Sequence, residues 1–387
     1  MFQVQATTTS LRSTRRGALR RLGAALTALG CGVPAYAATP RLLRIGTTYD
    51  SSGVEKVNGA ALQLGAMACF NAVNKAGGIG GAHVELVTAD DQFKPELAKV
   101  NALAFGAERS IVALLHPVGT RQTAAVIEAV QDMAIVGPNT GTAALRKKVS
   151  ANVFWLRASY DQEIDKLIAT AATLGVRNIG LVHPNDPLGQ SLLAAFTVAT
   201  DKYQLPRGVI ATTPNTTSPE VEPAAAAIAK AAPQVVIMGL AGTAPAFVRA
   251  LRAAGGSSTV YGLSIGASAA NLRAFGDAAR GLGFSSVGPS PHAATYEIVR
   301  RYQADMEASG SSDYSLPSLE GYINARVLCE GLRRAGSLPT RAQLISALDS
   351  IEALDLGGLR IGFGKGRREG NNFVDVAVIG SSGRLIS

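Results

Sequence analysis

The chain has 387 residues, more than one typical domain holds, with 47% hydrophobic and 17% charged residues; that composition belongs to a folding globular chain and excludes a disordered one. The net charge of +9 is concentrated: Arg12, Arg15, Arg16, Arg20 and Arg21 put +5 on residues 1–37, which hold no acid, and leave +4 on the other 350. No basic run interleaved with aromatics marks a nucleic-acid surface, and Lys365-Gly366-Arg367-Arg368 reads as a solvated loop.

The first element is a leader. A basic stretch to Arg21, a short apolar run over 22–31 and Ala35-Tyr36-Ala37 before Ala38 are the parts of a cleavable secretory signal, with cleavage expected near Ala37. Thr14-Arg15-Arg16-Gly17-Ala18-Leu19-Arg20 is similar to a twin-arginine signal, so either export route is open. Cys31 suggests a lipidation site, but Ala28 stands three residues before it, where a large aliphatic residue is expected. The apolar run is too short to span a bilayer, and no other stretch reaches 18 apolar residues, so a soluble mature protein is expected.

From residue 42 onward, strand-length apolar runs alternate with helical patterns. The expected order is strand 42–47, helix 59–76, strand 84–89, helix 95–109, strand 111–115, helix 120–133, and short buried strands at 135–136 and 153–156. The pattern then restarts: helix 161–174, strand 179–183, helix 189–203, strand 209–213, helix 223–231, strand 235–239, helix 244–254, and strands 260–263 and 282–287. Beyond Pro289-Ser290-Pro291 come helices 295–308, 318–335 and 341–348, then strands 359–361 and 374–379. Strand–helix alternation predicts parallel sheets covered on both faces. Two series with a late return predict an α/β chain of two doubly wound, Rossmann-like lobes, 40–157 plus 289–356 and 158–288 plus 357–387. Three hinge crossovers are expected, near Arg157, Pro289 and Gly357.

Cys69 and Cys329 both fall in helical apolar patterns; an oxidising compartment permits a disulfide between them, and two buried free thiols are the alternative. The four histidines, His83, His116, His183 and His292, are scattered and have no zinc-type spacing, so no metal site is expected.

A series of short motifs runs through this pattern. Phe70 to Gly81 (FNAVNKAGGIGG) is followed by Asp90-Asp91, Pro117-Val118-Gly119-Thr120 and Gly137-Pro138-Asn139-Thr140-Gly141-Thr142. Phe154-Trp155-Leu156-Arg157, Asn185-Asp186-Pro187-Leu188-Gly189 and Leu319-Glu320-Gly321-Tyr322 complete it. In this order and spacing the chain resembles the periplasmic branched-chain amino-acid-binding family, the type I periplasmic binding fold, over nearly all of 42–387. The resemblance implies a non-enzymatic receptor that closes around a small ligand and feeds an ABC permease. It implies a periplasmic location, a monomer, no cofactor and no nucleic-acid partner.

The resemblance also implies the site. Gly119 lets the backbone approach a ligand, and Thr120 opens a helix whose free amides attract an anion, or serves only as its N-cap. The loop with Asn139, Thr140, Gly141 and Thr142 is expected at the ligand's polar end; its threonines are shifted from the family pattern. Tyr49, Ser51 and Tyr160 are expected along the first lobe and the crossing, and Asp186, Leu188, Ala241 and Ser264 along the second lobe. Leu188 and Ala241 stand where the family often has aromatics, and Ser264 where amino-acid binders carry an acid for the ligand's ammonium. A ligand with a carboxylate and a neutral body is the resulting expectation, with Asp186 the substitute partner if the ligand has an amino group.

Rival readings are weaker. Residues 46–53 lack the Gly-x-Gly-x-x-Gly of a dinucleotide-binding enzyme. Gly262-Leu263-Ser264-Ile265-Gly266 has the letters of a nucleophile elbow, but the only later histidine, His292, comes too early to complete a hydrolase triad. A sensor on the same fold differs from a transport receptor in nothing the sequence displays.

Overall fold

The computed structural model describes residues 41–147, 150–279, 281–364, 366–380 and 385–386, so the expected leader and its cleavage site lie outside the described residues. The first series runs β1 (Arg41–Tyr49), α1 (Lys56–Lys75), β2 (Ala82–Asp90), α2 (Pro95–Ala107), β3 (Ile111–Leu115), α3 (Thr120–Ala129), β4 (Ala134–Val136), α4 (Ala143–Lys147) and β5 (Val153–Phe154). Its strands form one parallel sheet in the order β2-β1-β3-β4-β5, and β1 pairs with β2 from Arg41↔Ala82 to Tyr49↔Asp90. Helix α3 stops four residues before the periodicity predicts. Val130 turns extended at φ −133°, and the Asn152 side chain holds the bend by donating to the carbonyls of Val130 and Met133.

The second series is α5 (Tyr160–Thr173), β6 (Ile179–Pro184), α6 (Pro187–Lys202), β7 (Arg207–Thr213), α7 (Glu222–Ala231), β8 (Val235–Met238), α8 (Ala244–Ala253), β9 (Thr259–Gly262), α9 (Ala269–Phe275) and β10 (Leu282–Ser286). The chain then returns through α10 (Glu297–Ala308), α11 (Leu316–Ala335), α12 (Arg341–Asp349), β11 (Leu354–Asp355), β12 (Arg360–Ile361), β13 (Asp375–Ile379) and β14 (Leu385–Ile386). The second sheet has the order β14-β13-β10-β9-β8-β6-β7. Its strands run parallel from β7 to β10, and β13 and β14 are added antiparallel at the edge.

Each sheet has its own apolar core. Leu43, Ile45 and Phe70 pack with Tyr302, Tyr322 and Leu328 from the returning helices. Leu181, Leu192 and Ile237 occupy one side of the second sheet, and Val236, Phe247 and Phe284 the other. Helix α1 meets α11 backbone to backbone: a Cβ added to Gly65 would lie 1.7 Å from the Ser318 carbonyl oxygen, and one on Gly321 2.0 Å from that of Leu62. Cys69 and Cys329 sit on these two helices as buried free thiols. The Cys329 sulfur hydrogen-bonded beside it, together with burial, pushes the Cys69 thiol well above its ordinary value.

The expected third crossover near Gly357 is corrected. Gly357 and Gly358, both left-handed, form the turn between β11 and β12, with the Asp355 carboxylate accepting both amides at 2.8 Å. Leu359, Ile361 and Phe363 then pack into the first core, not the second. Residues 368–370 run along β5, with Trp155 donating to the Arg368 carbonyl and Gly370 to that of Trp155, both at 2.8 Å. Only at Asp375 does the chain join the second sheet. Among the described residues no helix is long and apolar enough to cross a membrane.

Candidate functional site

In open parallel sheets the ligand crevice lies beyond the carboxyl ends of the strands. A cavity of about 580 Å³ occupies that place here, lined from both lobes. On the first lobe it is walled by Gly119 and Thr120 after β3 and by Asn139 after β4; on the second, by Asp186 and Leu188 at the start of α6 and by Ala241 after β8.

The loop after β3 is built for close approach. Gly119 (φ 93°) is the N-cap of α3, so Thr120 is its first helical residue and not the cap expected from sequence. The Thr120 hydroxyl instead joins those of Thr140 (2.8 Å) and Thr142 (2.9 Å), which are themselves 3.2 Å apart. Thr140 and Thr142 are fully buried and support Thr120 from behind the cavity wall; they do not line it. Gly141 lies behind the wall too: its carbonyl accepts the Tyr160 amide at 2.7 Å, and a Cβ there would sit 2.5 Å from the Tyr160 ring. Tyr160 itself, buried at the head of α5, does line the cavity.

His116 opens this loop, fully buried at φ 35° and hydrogen-bonded to the Gln63 amide at 3.0 Å. Burial pushes its imidazole down to about 3. The unfolded chain takes up this proton near pH 6.5 and the folded one does not, so stability is complete above that pH and is lost as pH falls toward 3. The expected slope is about 1.4 kcal/mol per pH unit for this one group. Denaturant midpoints for wild type and His116→Asn between pH 7 and 5 check this; parallel curves for the two would refute it.

The second-lobe residues divide. Leu188 and Ala241 give the cavity an apolar side, joined by Ile265. Asp186 is at the wall, but its carboxylate is already committed: one oxygen caps α6 by accepting the Gly189 amide at 3.1 Å, and the other accepts the Thr216 amide at 3.0 Å and its hydroxyl.

Three expected site residues lie elsewhere. Tyr49 packs its ring against the start of α1, where a Cβ on Gly59 would meet it at 2.7 Å. Ser51 is exposed, gives its amide to Asp90 at 3.0 Å, and lines a separate hollow with Lys56 and Arg273. Ser264 faces the hinge: its hydroxyl donates to Glu163 at 3.0 Å and accepts from Arg157. Neither partner is a histidine, so the Gly-x-Ser-x-Gly letters carry no elbow geometry. The absence of an acid at Ser264 therefore no longer argues against an amino group on the ligand.

Sequence reasoning missed Phe93, Arg121 and Glu55, all of which line the cavity. Phe93 and Gln92 are consecutive non-glycine residues at φ 57° and 52°, a conformation that costs energy in a bulky residue and tends to mark function. The buried Asp91 carboxylate holds the turn by accepting the Phe93 amide at 2.9 Å, and Gln122 binds the Phe93 carbonyl at 2.5 Å. Burial raises Asp91 to about 6. Glu55, at the N-cap of α1, is raised to about 7, first by burial and then by the Asp50 carboxylate. Among the described residues no cluster of His, Cys, Asp and Glu is arranged to hold a metal ion.

The periplasmic binding protein family matches residues 43–384. A comparison with curated proteins finds no match. Among solved structures, a substrate-binding periplasmic protein from Ralstonia solanacearum is 32% identical, with 89% of this chain and 99% of that one covered and a TM-score of 0.82. A possible leucine/isoleucine/valine-binding protein from Rhodopirellula baltica is 24% identical, with coverages of 90% and 98% and a TM-score of 0.83. An ABC transporter solute-binding protein from R. palustris in complex with benzoate is 17% identical, with coverages of 89% and 95% and a TM-score of 0.79. At those identities the last two share the fold alone. With 43–384 inside the family's pattern and two parallel-sheet lobes meeting at a strand-end cavity, this chain belongs to the type I periplasmic binding proteins.

Proposed function

We propose that the chain is the exported, periplasmic receptor of an ABC-type importer. It binds a small carboxylate-bearing ligand, an amino acid or a related organic acid, between its lobes and releases it unchanged to a permease. The observation that carries this reading is the Gly119–Thr120 loop. A glycine-capped helix start and a hydroxyl held by two buried threonines face a cavity whose far side sets Leu188, Ala241 and Ile265 beside Asp186, Asn215, Thr216 and Thr217. Free amides at a helix start favour an anion, and Leu188, Ala241 and Ile265 suit an uncharged body. Of the proteins of this fold, one is named a possible leucine/isoleucine/valine-binding protein and another holds benzoate, compounds of that size that carry a carboxylate.

The test is a thermal-shift panel of amino acids, aromatic acids, aliphatic acids and amides. A ligand at about 100 times its dissociation constant stabilises the folded state by about 2.7 kcal/mol. A panel in which carboxylates produce no shift while amides do would remove the anion reading. Labelling of Ser264 by a covalent serine inhibitor would overturn the non-enzymatic one.

Thr120→Ala should weaken binding of whichever carboxylate shifts the protein by about 10- to 100-fold, because a hydrogen bond to a charged group is lost. Its stability should fall by only about 1 kcal/mol, the usual net worth of a hydrogen bond such as those in the hydroxyl trio. Calorimetric titration with unchanged affinity would show that the hydroxyl serves the trio alone.

A further inference from the structure

Glu55 reaches the cavity because Asp50 folds the chain after β1 into a tight turn. The buried Asp50 carboxylate accepts the amides of Ser52 at 3.1 Å, Gly53, and Glu55 at 2.7 Å, which sets Glu55 at the head of α1. Its carboxylate lies beside Asn58, one turn further on, and the backbone of Gly242 in the second lobe, both of which favour its charged form; a Cβ on Gly242 would lie 3.4 Å from it. Asn58 in turn reaches Asn139 at 3.4 Å. One side chain therefore links Glu55 to the Asn139 loop, which pairs with Gly119 beside Thr120.

Glu55 has the wrong partners for a half-buried carboxylate. None of the ion pairs among the described residues includes it, and the nearest charge acting on it is the repelling Asp50. Of the other charged groups on the cavity wall, Asp186 is taken up by Gly189 and Thr216, and Arg121 extends from the first turn of α3. A carboxylate drawn out of water beside another carboxylate is stabilised by a cation, and a ligand that enters the cavity can bring one.

We propose that Glu55 is the specificity residue of this cleft and receives a positively charged group of the ligand. The cleft then takes a zwitterion, with its carboxylate at the Thr120 loop and its ammonium at Glu55. This rests on the receptor reading above and names the ligand class within it. It moves the cation's partner from the second lobe, where Ser264 turns away, to the first.

The burial and repulsion that raise Glu55 to about 7 give the proposal a second readout. An ammonium binds the ionised form, so near pH 7 binding must expel a proton and must tighten as pH rises from 6 to 8.

The experiment titrates wild type and Glu55→Gln with matched pairs: leucine against 4-methylpentanoate, and phenylalanine against 3-phenylpropanoate. Heats are measured in two buffers of different ionisation enthalpy. For at least one pair the amino acid is expected to bind wild type at least ~10-fold tighter, with proton release. Glu55→Gln should erase that preference and the proton release while leaving the acid's affinity within about 2-fold. Thermal unfolding of the ligand-free variant confirms that it is folded, and Glu55→Asp, which keeps the charge, should retain the preference for the amino acid. Acids binding as tightly as their amino acids would overturn the proposal and leave the receptor reading standing. An equal loss for both partners in Glu55→Gln would overturn it too, and make Glu55 a clasp between the lobes through Gly242. If no member of any pair binds wild type, both this proposal and the carboxylate reading beneath it fall.

Discussion

Replacing Arg157 with methionine is expected to cost about 3–5 kcal/mol of stability, the penalty for removing one partner from a buried ion pair. The guanidinium lies buried in the first crossing segment and is paired from both sides: Glu163 of α5 in the second lobe at 3.4 Å and Glu320 of α11 in the first at 3.5 Å. Methionine would fill much of the volume and leave two carboxylates in the hinge without their cation. Glu163 would keep its bonds from Ser264 and Ser285, since its oxygens accept the Ser264 amide at 2.9 Å and the Ser285 hydroxyl at 2.6 Å. Glu320 would be left worse placed. Burial already raises it and Arg157 is the main force lowering it, so in the variant it should take up a proton. The loss of stability should therefore be larger at pH 8 than at pH 5. Denaturant unfolding at the two pH values checks both claims. A loss under about 1 kcal/mol would mean that the hinge admits water and the pair is screened as on a surface.

The second large effect is expected from Gly65→Ala. The new methyl group would meet the Ser318 carbonyl at 1.7 Å, with the Tyr322 amide nitrogen at 3.0 Å, and both obstacles are α11 backbone that cannot swing aside. Helices α1 and α11 must separate, which opens the core around Phe70, Tyr322 and Leu328. Overpacking commonly costs 1–3 kcal/mol, and a collision with backbone on this scale should reach about 3 kcal/mol or more. Gly288→Ala is the control: that glycine has nothing within 4 Å of an added Cβ and no left-handed backbone. Its unfolding midpoint should match wild type within about 0.5 kcal/mol. Similar losses in both variants would show that the cost comes from glycine content and not from the helix contact.

Most of the architecture was legible because strands buried on both faces read as unbroken apolar runs and the helices between them keep their period. Strand 111–115 appears in the structure with the expected bounds, and β1 to β4 and β6 to β10 fall within a few residues of expectation. What escaped was short. Helices α4 and α9, and strands β11 and β14, have two to seven residues each, too few to show a period. The late crossover was misplaced because Leu359 and Ile361 look the same in sequence whichever core they enter. On the cavity wall, Gly119, Thr120 and Asn139 could be picked out from sequence because a glycine and polar residues directly after a buried strand mark a strand-end loop. Phe93 was not: a left-handed phenylalanine leaves no mark in sequence, although Asp91, which holds its turn, belonged to an acidic pair already noted. Glu55 was passed over because an acid at a helix start ordinarily reads as a cap or a solvated charge, and only the fold brings Gly242 against it. Ser264 was misjudged for the converse reason, since its place in the chain says nothing of the hinge network its hydroxyl joins.

The strip formed by residues 368–370 along β5 bears on how the chain is made. A ribosome delivers the first sheet's strands β1 to β5 early, but α10 to α12, which fill its core, and the strip that covers its open edge emerge only after the whole of the second series. Until then the first lobe exposes an apolar face and an unpaired strand, the kind of edge on which chains aggregate. The second lobe waits as well, for β13 and β14. Neither lobe can finish on a growing chain, and closing such distant contacts is slow. A chain stalled or truncated before residue 370 should be bound by holding chaperones and cleared by proteases, and the longer chain should close its lobes late, after its last distant contacts are made.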